Sequence, residues 1–72
     1  MLNNPPIWNQ IQGKWKQLSG SVKQHWGQLT DDDLTQINGS REQLVGKLQQ
    51  RYGITQTEAN QQIDAWSDKL KF

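Results

Sequence analysis

Three short spacings partition this chain: Thr30 precedes Asp33, Ser40 precedes Gln43, and Thr55 precedes Glu58. Each is the spacing of a capping box, in which the first side chain accepts a backbone N–H at the start of a helix and the second reaches back to the cap's own N–H. The match is best for Thr55 with Glu58, good for Ser40 with Gln43 and looser for Thr30, whose partner Asp33 is short. Helices are therefore expected over residues 31–38, 41–52 and 56–70. A chain written this way is all-α.

Ahead of these starts, Trp8, Ile11, Trp15, Leu18, Val22 and Trp26 recur at steps of three or four, which places them on one face of a helix. Pro5 and Pro6 suit a first helical turn, so one helix is expected over 7–26. Residues 1–6 form a frayed N-terminal extension, and 7–72 a single domain. Gly13 and Gly20 each cost roughly 1 kcal/mol against alanine inside a helix, so the helix is expected to bend or start late near one of them. An internal echo, GSVKQHWG at 20–27 and GKLQQRYG at 46–53, closes two helices. Gly27 and Gly53 suit the left-handed residue after a helix, and Gly20 and Gly46 offer places for another helix to approach closely. The reading is a small four-helix domain of two hairpins. Its core draws on the tryptophan stripe, Leu34, Ile37, Leu44, Val45, Leu48, Tyr52, Ala59, Ile63, Trp66 and Leu70.

At 72 residues the chain is near the size at which one core only just offsets chain entropy. Only 32% of residues are hydrophobic and the mean hydropathy is -0.98. The net charge of +1 and the helical periodicity nonetheless argue for a folded, very hydrophilic domain rather than a disordered one. The absence of cysteine excludes disulfides, thiolate nucleophiles and zinc-thiolate or iron–sulfur sites. No secretion signal or run of about 18 apolar residues occurs, so a cytoplasmic protein without a transmembrane segment is expected. Residues 1–30 hold three lysines and no acid, whereas 31–72 hold five basic and seven acidic residues, so charges of +3 and -2 divide the chain.

The residues that invite chemistry have plainer roles. Asp31, Asp32 and Asp33 fall at a helix start, where carboxylates are favoured by about 0.3 to 1 kcal/mol each, and successive helical residues diverge by about 100 degrees. A calcium loop through Asp31, Asp33, Thr35 and Glu42 would put Gln36 where a glycine is required, and a helix start inside the loop. His25, with no orienting partner or nucleophile in view, suits the last turn of a helix. Trp15, Trp26 and Trp66 read as core, while Trp8 is expected to be partly exposed. Lys14, Lys16, Lys23 and Trp8 form the candidate interaction surface, and weak polyanion binding through the lysines is one expectation. No catalytic constellation, cofactor site or metal site is read from the sequence.

GKWKQLSGSVKQHWGQLTDDDL, followed by LVGKLQQRYG and EANQQIDAW, resembles the CsbD-like family of small bacterial general stress-response proteins, the YjbJ group. The resemblance covers residues 12–70. It implies two roughly orthogonal hairpins in a SAM-domain-like arrangement, and a non-enzymatic protein of unestablished molecular activity. The expected function is thus a stress-associated hydrophilic monomer that binds or protects other macromolecules, its protein clients unknown. The alternatives are a weak nucleic-acid or anionic-membrane binder using the lysine face, and a protein-interaction adaptor using Trp8 and Phe72.

Overall fold

All three capped starts form. Thr30 and Thr55 each complete a box, with Asp33 N–H donating to Thr30 Oγ1 at 3.1 Å and Thr30 N–H to Asp33 Oδ2 at 3.0 Å, and the same exchange between Thr55 and Glu58 at 3.1 and 3.0 Å. Ser40 accepts the Gln43 N–H at 3.3 Å. The structure, a computed structural model, describes residues 6–70, and among these every element is helical: α1 (Pro6–Gly13), α2 (Trp15–His25), α3 (Asp31–Ile37), α4 (Arg41–Tyr52) and α5 (Gln56–Asp68). The expected extension over 1–6 lies outside the described residues except Pro6, which opens α1.

Five helices replace the expected four because the first divides at Lys14 (φ -109, ψ 19). An unbroken helix over 7–26 would be about 30 Å long, as long as the whole molecule, whose greatest extent is 29 Å. Its N-terminal third would find nothing to cover it. Breaking beside Gly13 lets Trp8 (2% exposed) and Ile11 (0%) join one core with Trp15, Val22, Trp26, Leu29, Leu34, Ile37, Leu44, Val45, Leu48, Ala59, Ile63 and Trp66. Leu18, Tyr52 and Leu70 are only partly buried around it. Each large apolar side chain fully withdrawn from water contributes about 1.5 to 3 kcal/mol, so the break gains more than a weak helix junction loses.

The glycines depart from expectation. Gly53 is left-handed (φ 66) as expected, but Gly27 is not. The path has already turned at Trp26 (φ -121, ψ 85), and Gly27 lies inside a tight turn closed by Leu29 N–H donating to Trp26 O at 3.1 Å. No helix approaches Gly20 or Gly46, where an added Cβ would meet nothing within 4 Å. The close approach is at Gly39 instead. Following left-handed Asn38 (φ 47), Gly39 (φ 78) sits so near α1 that a Cβ would lie 2.5 Å from Gln12 Cα.

Candidate functional site

The joint at residues 21–34 distributes its charged side chains in three directions. Asp31 accepts from Lys23 Nζ at 2.8 Å on the surface, Asp32 is exposed, and Asp33 turns inward to 1% exposure. The divergence follows from the 100-degree step of a helix. Asp33 Oδ2 accepts from Thr30 N–H and from Arg51 Nε at 2.8 Å, while Oδ1 accepts from Arg51 Nη2 at 2.9 Å and stands 3.3 Å from Lys47 Nζ. The guanidinium fork of Arg51, the Thr30 amide and Lys47 hold the Asp33 carboxyl far below the usual carboxylate range, although burial alone would raise it. In return the Arg51 guanidinium is shifted up. With two contacts on each oxygen, Asp33 has no lone pair left for a substrate proton or a metal ion.

A calcium loop is absent here because 31–37 and 41–52 are helices, and Thr35 Oγ1 donates to Asp31 O at 3.1 Å. Among the described residues no three His, Asp or Glu side chains gather as a metal-holding group. His25 is exposed, its ring edge-on to Trp26 at 4.5 Å. The residue after one echoed segment meets the other across this joint, with Gln28 N–H donating to Tyr52 Oη at 3.1 Å.

Trp15 and Trp26 are core as expected, and each satisfies its indole. Trp15 Nε1 donates to Leu34 O at 2.9 Å and Trp26 Nε1 to Gln62 Oε1 at 2.9 Å. Trp66 Nε1 donates to Ser21 Oγ at 3.2 Å. Trp8 corrects its expected exposure. Its ring lies 6.2 Å from that of Trp66, under the Arg41 guanidinium at 5.8 Å, and its buried Nε1 has no acceptor. Arg41 is held there by Asn60 Oδ1 at 3.1 Å and Asp64 Oδ1 at 2.7 Å.

Of the three candidate lysines, Lys16 and Lys23 lie on one side of α2, seven residues apart. Lys14 occupies the break and does not continue their register. All three are exposed, and Lys23 shares its charge with Asp31. Phe72 lies outside the described residues. Arg51, which completes the cluster, was not singled out in the sequence. Its signal is the four-residue spacing from Lys47 on α4, which sends both side chains to one face.

Comparison with known proteins places this geometry. The CsbD-like family model matches residues 9–61. A UPF0337 protein of Rhodopseudomonas palustris is 52% identical over 64 residues, 89% of this chain and 97% of the relative. The chain belongs to the CsbD-like family. A UPF0337 protein of Agrobacterium fabrum is 58% identical, covering 82% of this chain and 88% of its own length, and the UPF0337 protein YjbJ of Escherichia coli (strain K12) is 48% identical, covering 83% and 87%. The CsbD-like match contains the whole Asp33 cluster. Trp8, Ile63 and Trp66, which join α1 to α5, fall outside it. No described helix of this CsbD-like chain is long and apolar enough to cross a membrane.

Proposed function

We propose that the chain is a non-enzymatic, stress-associated protein of the cytoplasm that acts as a monomer by binding or protecting other macromolecules. The observation that supports this reading is the division between inside and outside. The large apolar side chains are gathered into one core, while twelve glutamines and a net charge of +1 give an amide-rich surface with little drive toward non-specific association. Asp33, the one buried carboxylate among the described residues, is fully engaged in structure. Such a surface lets a protein accumulate among others and hydrogen-bond to them as water is withdrawn. The test is to dry or heat a labile enzyme with stoichiometric purified protein and measure recovered activity. Recovery no better than with an equal mass of an unrelated hydrophilic protein refutes the protective reading.

A second reading rests on the lysines. Lys16 and Lys23 on one side of α2 form a short cationic strip for phosphates, with Asp31 as its internal competitor. Binding of duplex DNA or anionic vesicles at about 50 mM salt that disappears at about 200 mM supports it, since each neutralised phosphate releases counterions. The two-hairpin, SAM-domain-like arrangement belongs with a third reading, an adaptor for another protein. Burial of Trp8 removes one of the two aromatic contacts that reading expects.

A further inference from the structure

The break at Lys14 is confined to a single residue. Lys14 N–H donates to Gln10 O at 3.0 Å, closing α1, and Leu18 N–H to Lys14 O at 3.0 Å, opening α2, with three-residue bonds from Lys14 N–H to Ile11 O at 3.2 Å and from Gln17 N–H to Lys14 O at 2.9 Å at the junction. The Lys14 dihedrals, -109 and 19, stand apart from helical values near -63 and -42. The apolar stripe runs through the break at unaltered spacing: Trp8 and Ile11 before it, Trp15, Leu18 and Val22 after it. The segment is thus written as one helix and folded as two.

What holds α1 in place is almost wholly apolar contact. No side chain from Ile7 to Gly13 makes a hydrogen bond or ion pair with another described residue. Its seat consists of the Trp66 ring against Trp8, the Arg41 guanidinium over Trp8, and Gly39, whose lack of a Cβ admits Gln12. Among the described residues no ion pair or side-chain hydrogen bond ties α1 to its seat.

We propose that Lys14 is a hinge: when it takes helical dihedrals, α1 and α2 fuse into one helix, and α1 docks in the seat of a second copy of this chain, which returns its own. The occupant is a second copy because α1 is the segment the seat is shaped to receive, with an indole between Trp66 and Arg41 and backbone against Gly39. At eight residues, about 12 Å, α1 projects beyond the body once the helix straightens, within reach of a neighbour. Exchange of identical elements preserves every contact of the closed form and adds the helical junction. The intramolecular contact has an effective concentration of the order of mM. Dimers therefore belong to protein at or above that concentration, and the closed monomer on which the proposed function rests to protein below it.

The test uses the full chain equilibrated at about 0.01 and 1 mM, spanning that effective concentration, with mass measured by light scattering on size exclusion. The expected result is the 8.4 kDa monomer at the lower concentration and a species of twice that mass at the higher. Lys14→Gly, which disfavours a continuous helix, reduces the dimer fraction roughly tenfold, while Gly13→Ala raises it; circular dichroism verifies that both variants are folded. In dimers assembled from isotope-labelled and unlabelled chains, filtered nuclear Overhauser spectra show Trp8 ring protons against Trp66 of the other chain. The proposal is overturned if wild type and Gly13→Ala both stay monomeric at 1 mM, or if the dimer keeps its Trp8–Trp66 contacts within each chain.

Discussion

Replacing Asp33 tests the joint most directly. In Asp33→Ala the Thr30 N–H loses its acceptor, and Arg51 and Lys47 lose their shared counterion. Removing one member of a buried ion pair costs about 3 to 5 kcal/mol, but the Arg51 side chain is 38% exposed and Lys47 15%. Water can rehydrate both, so the charge loss is discounted to about 1 to 2 kcal/mol. The lost half of the capping box adds about 1 kcal/mol. The total is about 2 to 3 kcal/mol, much of the stability available to a domain this small. Asp33→Asn separates the two contributions, because an amide oxygen can still accept the Thr30 N–H while the charge is gone. It is expected to lose about 1 to 2 kcal/mol. Urea denaturation followed by tryptophan fluorescence reads both variants, and at 4 to 8 degrees per kcal/mol for a domain of this length the melting point of Asp33→Ala falls by roughly 10 to 20 degrees. The pH dependence follows in sign. The folded carboxyl titrates below the ordinary 3.8, so its stabilisation is full above about pH 5 and is lost as pH falls through 3.8 toward the folded value. In Asp33→Asn this part of the acid sensitivity disappears. An Asp33→Asn protein as stable as wild type at pH 7, with an unchanged acid limb, would refute the argument that the ion cluster supports the joint.

Other substitutions probe features that sequence alone misjudges. Gly20→Ala and Gly46→Ala, each directed into open space on a helix surface, are expected to stabilise by about 0.5 to 1 kcal/mol apiece, visible as higher melting points. Gly39→Ala combines a left-handed backbone with a collision at Gln12 and is expected to lose more than about 2 kcal/mol in urea titrations. Trp15→Phe forfeits the hydrogen bond to Leu34 O, whereas Trp8→Phe removes a buried donor that has no acceptor. Trp15→Phe should therefore be the more destabilising by about 1 kcal/mol in the same assay. Changing Lys16 and Lys23 to glutamine should abolish any salt-sensitive polyanion binding while leaving the stability within about 1 kcal/mol of wild type.

The helix starts were legible because capping is local: Thr30, Ser40 and Thr55 announce their roles within three residues of themselves. The end of α4 was legible for the same reason, with Gly53 left-handed as its position implied. The break at Lys14 was not. Helical periodicity records which face is apolar and says nothing of the point at which a straight rod outgrows the body it must cover. Gly39 was overlooked for a related reason, since its demand comes from Gln12 on another helix. Gly20 and Gly46, prominent through their repetition, meet no neighbour at all. The pairing of Asp33 with the Thr30 cap follows from its spacing, but its inward turn toward Arg51 depends on how α3 packs against α4. Trp8 stands at the start of α1, where a helix is least covered, and its burial depends on Trp66 in the last helix.

The separation in sequence of these contacts orders the assembly of the fold. Asp33 and Arg51 are 18 residues apart, and α3, α4 and α5 pack as successive neighbours, so closing their loops demands little chain entropy and can proceed early. The bond from Trp66 to Ser21 spans 45 residues and that from Trp26 to Gln62 spans 36; these form once the carboxyl-terminal half exists to receive them. A chain built in this order packs α3 to α5 first and closes Trp26 and Trp66 across to α5 and α2 last. On this ordering, substitutions at Asp33 are expected to slow refolding and substitutions at Trp66 to speed unfolding, which stopped-flow tryptophan fluorescence reads directly.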